Sequence, residues 1–231
     1  MSAEEPAPGS LAEHSLAHRT SQREPYWPAQ LTVLAALLLQ VALPARLTIG
    51  PSWLIPTFEG LLLLGLVFGM PHRHQDERPS RRAVAVFMIA LVNLTNAVSL
   101  ALLAHYLLRH GTPNGHELII SGSTIWLTNV LIFSLWYWEI DRGGPGKRAR
   151  DGGGRADFLF SQMGDGLPYA PKDWRPGFVD YLFLSLTTAT ALSPTDTLPL
   201  SPLAKALMGV QSLVSLVTIG LIVSRAVNIL S

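Results

Sequence analysis

The sequence predicts an all-α integral membrane protein of about five transmembrane helices, with a short re-entrant, pore-like helix before the last span. Three observations predict it. Charged residues make up only 14% of the 231-residue chain against 48% apolar, where a soluble domain carries roughly 25% charged. The apolar residues gather into five segments separated by polar stretches. Between the fourth and fifth lies an apolar stretch too short to span, followed by a polar turn. The absence of Cys excludes a disulfide-stapled secreted domain and a Cys-ligated metal protein, and the net charge of +1 gives no reason to expect nucleic acid as a partner.

Residues 1–26 are rich in Pro, Ser, Glu and His with few large apolar side chains, and predict a disordered polar tail. Glu4 and Glu5 stand where a secretory signal needs basic residues. Residues 27–110 form a three-helix membrane region from the apolar segments 31–43, 53–70 and 83–108. A span needs about 20 predominantly apolar residues, so the first is marginal and the others suffice. Residues 111–231 form the second region, with helices over 118–138 and 203–230. Between these helices, 141–176 begins with GGPGKRARDGGGR, the composition of a flexible linker, and holds FLFSQM, which lies on a membrane surface or against the helices. Tyr26, Trp27 and Trp136 to Trp138 fit an interfacial aromatic belt. No internal repeat supports an inverted-repeat transporter.

Residues 177–199 carry the most specific pattern. Phe178 to Leu192, at about 15 residues, is short for a span. It leads into Ser-Pro-Thr-Asp and then, past Pro199 and Pro202, into a full-length apolar segment. A short helix, a polar turn and a long helix describe a re-entrant loop, which is tolerated at membrane depth where protein or a water-filled cavity surrounds it.

At this point the chain resembles the pore module of the potassium-channel superfamily. Asp180, Tyr181, Phe183, Ser185, Thr187, Thr188 and Thr190 match the pore-helix part, and Asp196, Pro199, Ser201, Pro202 and Lys205 the part after the filter. The resemblance implies an outer helix over 118–138, an inner helix over 203–230 with Gly209 and Gly220 as hinges, and a tetrameric assembly. The chain is also similar to bacterial membrane proteins with a T-A-T-A-x-S-P-T-D stretch, for which no activity is established. The filter departs from the superfamily pattern. Ala191, Leu192, Ser193, Pro194 and Thr195 replace T-V-G-Y-G. Both glycines are lost, and Pro194 fixes φ at about −65°. A carbonyl cage selective for potassium is therefore not expected. Ions would instead meet the hydroxyls of Thr190, Ser193 and Thr195 and, in an oligomer, a ring of Asp196 carboxylates that favours cations by charge with weaker discrimination among them, monovalent cations being the expected ions. The same turn also reads as an ordinary helix start.

Other polar residues lie inside apolar segments. Glu59 reads as a cavity-facing or proton-titrating group, or more simply as an interfacial carboxylate if Pro56 starts the helix and leaves Glu59 in its first turn. Asn93 and Asn96 share a helix face, and Asn129 lies on the next helix. They read as a polar lining or, preferably, as interhelical hydrogen bonds. Gly209, Ser212 and Ser215 read as small residues for close packing. The seven His show no ligand spacing, so no metal site, no cofactor and no catalytic apparatus is expected.

With a cytoplasmic N-terminus and five spans, all Lys and Arg except Arg46, Arg109 and Arg225 fall on the inner side, so the positive-inside rule favours this arrangement, in a cell (inner) membrane. Channels of the superfamily keep the end of the inner helix in the cytoplasm, and this conflict leaves three solutions. The loop enters from the cytoplasm, as the inverted pores of glutamate receptors do. Or Phe178 to Leu192 spans completely, giving six helices. Or the analogy misleads on orientation. The functional expectations are an ion-channel-like, weakly selective cation pore built by a homo-oligomer in the bilayer, a non-conducting scaffold or binding protein with a structural re-entrant loop, and, third, a secondary transporter using Glu59.

Overall fold

The computed structural model describes residues 25–48, 51, 53–68, 79–110, 115–151, 154–164, 174–190 and 197–230. Most of them are helical. Helix α1 (Trp27–Val41) carries Pro28 in its first turn, where a missing N–H costs nothing, and ends ahead of Pro44. A 3-10 turn over Ala45–Leu47 leads towards α2 (Leu54–Phe68). Helices α3 (Pro79–His110) and α4 (Gly115–Ile140) follow. Beyond a 3-10 turn at Asp141–Gly143 come the short α5 (Pro145–Asp151) and the strand β1 (Phe158–Leu159). Helix α6 (Phe178–Thr190), strand β2 (Leu198–Pro199) and α7 (Pro202–Leu230) complete the described chain.

Among the described residues three helices are long and apolar enough to cross a membrane: α3, α4 and α7, over Arg82–Arg109, His116–Gly143 and Pro202–Ser224. Helix α1 is shorter and apolar. Helix α4 is the hub, packing against α1, α3, α6 and α7. Its span is 67% buried, whereas that of α7 is 22% buried.

The packing partners fix the direction of each helix. Tyr26, ahead of α1, meets Trp138 edge-on at 5.6 Å, and Arg82 at the start of α3 donates to Glu139 at 2.8 Å. Both therefore begin where α4 ends, at the loop end of the bundle. At the far end, Leu43, Leu47, Leu100, Leu103, Leu118 and Ile125 form one apolar cluster, and Arg46 pairs with Glu117. The helices α1 to α4 thus alternate in direction. Helix α7 starts at the loop end and runs antiparallel to α4, placing Ile222 over Gly122, where a Cβ would lie 2.5 Å from the isoleucine side chain. Of the described basic side chains, Arg82, Arg142, Lys147, Arg148, Arg155, Arg175 and Lys205 lie towards the loop end, and Arg46 and Arg109 at the far end.

The stretch with linker composition is structured where it is described. Arg142, Gly143 and Gly144 all take positive φ (52°, 82° and 96°), so the chain reverses sharply after α4 and the two glycines avoid the strain a side chain would carry there. Asp141 is fully buried. It accepts the backbone amides of Asp157 (2.8 Å) and Phe158 (3.3 Å) and the hydroxyl of Tyr181 (2.6 Å). Arg148 donates to the carbonyls of Trp138 and Asp141 at 2.8 and 2.7 Å. FLFSQM lies against the helices: Phe158 packs on Tyr137 at 5.1 Å and Phe160 on Tyr181 at 5.5 Å. Glycine composition alone misses this, because one buried carboxylate organises the segment through groups distant in sequence.

Candidate functional site

Helix α6 starts and its chain returns at the same end of the bundle. Phe178 packs on Trp138 at 5.8 Å, and Trp174 on Phe160 at 5.8 Å. On the return, β2 pairs antiparallel with β1, Phe158 opposite Pro199 and Leu159 opposite Leu198, while the amide of Leu200 donates to the carbonyl of Asp157 at 2.8 Å. Between these anchors, α6 is 13 residues long. Asp180 accepts the amide of Gly177 at 2.8 Å while its own amide donates to the Gly177 carbonyl, a reciprocal cap that fixes the start of the helix. Ser201 then accepts the amide of Ala204 at 3.1 Å and Pro202 opens α7, so the chain turns into its last helix at once.

A belt of buried polar side chains joins α6 to α4 and α7. Tyr137 donates to Oε1 of Gln211, and Nε2 of Gln211 donates to the carbonyl and hydroxyl oxygens of Ser185 at 2.8 and 2.7 Å. The Ser185 hydroxyl donates to the Val130 carbonyl at 2.6 Å. A level further, Asn129 donates to the hydroxyl of Ser215 at 2.9 Å. Tyr137, Ser185, Gln211 and Asn129 have no exposed surface. The Thr188 carbonyl accepts the Ser212 hydroxyl at 3.5 Å, so the C-terminal turn of α6 lies beside the middle of α7.

The hydroxyls expected to line a pathway are turned into α6 itself. Thr187 donates to the carbonyls of Phe183 and Leu184, Thr188 to Leu184 at 2.8 Å and Thr190 to Thr187 at 3.0 Å. Thr188 is buried, and Thr187 and Thr190 are partly exposed. Ser193, Pro194, Thr195 and Asp196 lie outside the described residues, as do residues 1–24 of the polar tail.

The remaining polar candidates separate. Asn96 donates to the Ile125 carbonyl at 3.2 Å, tying α3 to α4. Asn129 turns away from α3 towards α7, and Asn93 is half-buried. Glu59 corrects an expectation. Helix α2 starts at Leu54, ahead of Pro56, so Glu59 lies past the first turn, and its side chain is buried within the protein. A proline is accommodated in a first turn without starting it, and here the helix begins two residues earlier. Gly209 and Gly220 are exposed, with nothing within 4 Å of where a Cβ would stand. Ser215 instead is buried against α4.

Sequence reasoning passed over Gln211 and Asp141. A lone amide in the middle of an apolar helix marks Gln211, though nothing local names its partners. Among the described residues no group of His, Cys, Asp or Glu is arranged to hold a metal ion. No protein-family model, no curated protein and no solved structure matches the chain.

Proposed function

We propose that this chain is an ion-channel-like membrane protein. In this reading α4, α6 and the residues up to β2, together with α7, form a re-entrant pore module, and an oligomer of the chain passes monovalent cations with weak selectivity. The observation that carries the reading is the placement of α6. The chain on either side of this 13-residue helix is anchored at one end of the bundle, as a loop that enters and leaves on one side requires. Helix α7 adds support. It is the least covered long helix, with Val210, Leu213, Leu216, Val217 and Val223 exposed along it, a surface suited to lipid or to neighbouring copies. In this account α1 to α4 and α7 cross an inner membrane five times. The N-terminus and the loop end face the cytoplasm, where the excess of Lys and Arg belongs, and the loop enters from that side.

A second reading rests on the threonines. Thr187, Thr188 and Thr190 bond their own helix, and the belt centred on Gln211 knots α6 into the fold. A non-conducting scaffold would be built the same way. Asp196 discriminates between the two. At a pore mouth its carboxylates concentrate cations, so Asp196→Asn lowers cation flux into liposomes, most at low salt where screening is weak, and leaves thermal stability unchanged. As a structural carboxylate paired with a cation such as Lys205, the same substitution costs stability, up to about 1 kcal/mol, and alters no flux.

A further inference from the structure

At the loop end the chain reverses after α4 through Arg142, Gly143 and Gly144, and basic side chains gather on this reversal. Lys147 leans back over it from α5. Its Nζ stands 3.6 Å from where a Cβ of Gly143 would be and 3.7 Å from the same point on Gly154, so the two glycines leave the room it occupies. Arg155 follows Gly154 directly. Lys147 and Arg155 are both exposed, and among the described residues neither has a hydrogen-bonding or ionic partner. On the other side of the turn, Nε of Arg82 lies 3.5 Å from where a Cβ of Gly144 would be.

Arg142 is the more telling member. A guanidinium carries five donors, yet among the described residues this one makes a single weak hydrogen bond, from Nη2 to Sδ of Met163 at 3.6 Å. Its Nε is buried without a hydrogen-bond partner, and Oδ2 of Asp141, 4.0 Å away, already takes the Tyr181 hydroxyl. The other described carboxylates beside the reversal are engaged within the fold, Glu139 by Arg82 and Asp157 by the backbone amide of Arg142. The side chain is 24% exposed, so the remaining donors are within reach of an outside anion. Next to Asp157, the paired strands β1 and β2 set Leu159 opposite Leu198, both exposed. Cations beside exposed apolar side chains suit a ligand with an acidic head and a hydrocarbon body.

We propose that Arg142, Lys147 and Arg155 bind the phosphate of an anionic phospholipid at the loop end of the bundle. The long apolar helix α4 ends here, beside the aromatic pair Tyr26 and Trp138, which sets the reversal at headgroup level. Arginine offers phosphate a planar fork of donors and lysine a compact charge, and basic pockets at the ends of membrane helices take acidic headgroups. A phosphatidylcholine head brings a quaternary ammonium that these cations repel, so the net charge of the head decides. Free phosphate shares the anionic end but has no hydrocarbon for Leu159 and Leu198 to meet. The site lies apart from the end of α6 and the residues after it, and it requires neither conduction nor a particular side of the membrane.

Equilibrium binding of radioactive phosphatidylglycerol to the full chain in detergent micelles tests this. The expected result is saturable binding that weakens as salt is raised. Unlabelled phosphatidylglycerol displaces it, whereas phosphatidylcholine and inorganic phosphate do not. Lys147→Gln and Arg155→Gln, both at exposed positions, each weaken it by about fivefold, the effect of one cation near an acidic headgroup. Arg142→Gln weakens it at least as much. Arg109→Gln, at the far end of the bundle, leaves it unchanged and separates a loop-end site from a general attraction between basic protein and acidic lipid. Each variant is compared only while its gel-filtration profile matches the parent. The proposal is overturned by an absence of saturable binding, by binding that survives Lys147→Gln and Arg155→Gln together, or by an equal loss in Arg109→Gln. Equal displacement by phosphatidylcholine overturns it as well, and displacement by inorganic phosphate would reveal a site for free anions in place of a lipid.

Discussion

At the scale of single residues, two side chains organise the module. Gln211 uses both ends of its amide, accepting from Tyr137 of α4 and donating to Ser185 of α6, so one residue of α7 fixes three helices at one level. Asp141 does the same at the loop end, where Tyr181 and two backbone amides converge on it. Hydrogen bonds between membrane helices are each worth roughly 0.6 kcal/mol, rising to about 2. Tyr137→Phe removes one bond and is expected to cost about 1 kcal/mol, because Oε1 of Gln211 is left buried without a donor. Gln211→Leu orphans partners on both sides and is expected to cost about twice as much. Thermal unfolding in detergent checks the order. Equal costs would mean that the Ser185 side of the belt contributes nothing.

At the scale of elements, the sequence and the structure part company in an instructive way. Helices α3, α4 and α7 are legible because length and apolar composition suffice to define them, and their ends fall within a few residues of the expected ones. The start of α2 is not legible, since Pro56 is compatible with several helix registers and only packing selects one. The segment after α4 is hidden for another reason. Its glycines describe local freedom, whereas its order comes from Asp141, Arg148 and Phe158 meeting residues of α4 and α6. The belt is half legible: Asn129 and Ser185 draw attention as polar residues, but which helix each faces is a property of the packed bundle. The re-entrant proposal belongs to this scale and has a direct test. The chain contains no Cys, so single cysteines can be labelled without background. Val179, in the first turn of α6, and Leu198, beyond its end, are 69% and 58% exposed. Cysteines at Val179, Leu198 and Gly154 should react with a membrane-impermeant maleimide from one and the same side, and a cysteine at Arg109 from the other. Reaction of Leu198 from the side of Arg109 would mean that α6 crosses the membrane, giving six spans.

At the scale of the whole molecule, one chain does not surround a pore. Helix α4 occupies the centre of the bundle and α7 lies at its margin, largely uncovered. A pathway for ions on this account therefore runs between copies, along α7 and the residues between Thr190 and Thr197, and conduction requires assembly. The substituted filter, with Ser193, Pro194 and Thr195 in place of the superfamily glycines, predicts cation selectivity by charge with little preference for potassium over sodium. Current recorded across a planar bilayer that contains the purified chain, under a salt gradient and then with potassium opposed to sodium, tests this claim most directly. The account predicts a reversal potential displaced towards the cation equilibrium potential in the gradient and close to zero with the two cations opposed. An assembled, inserted protein that carries no current, or one that carries anions, would contradict it.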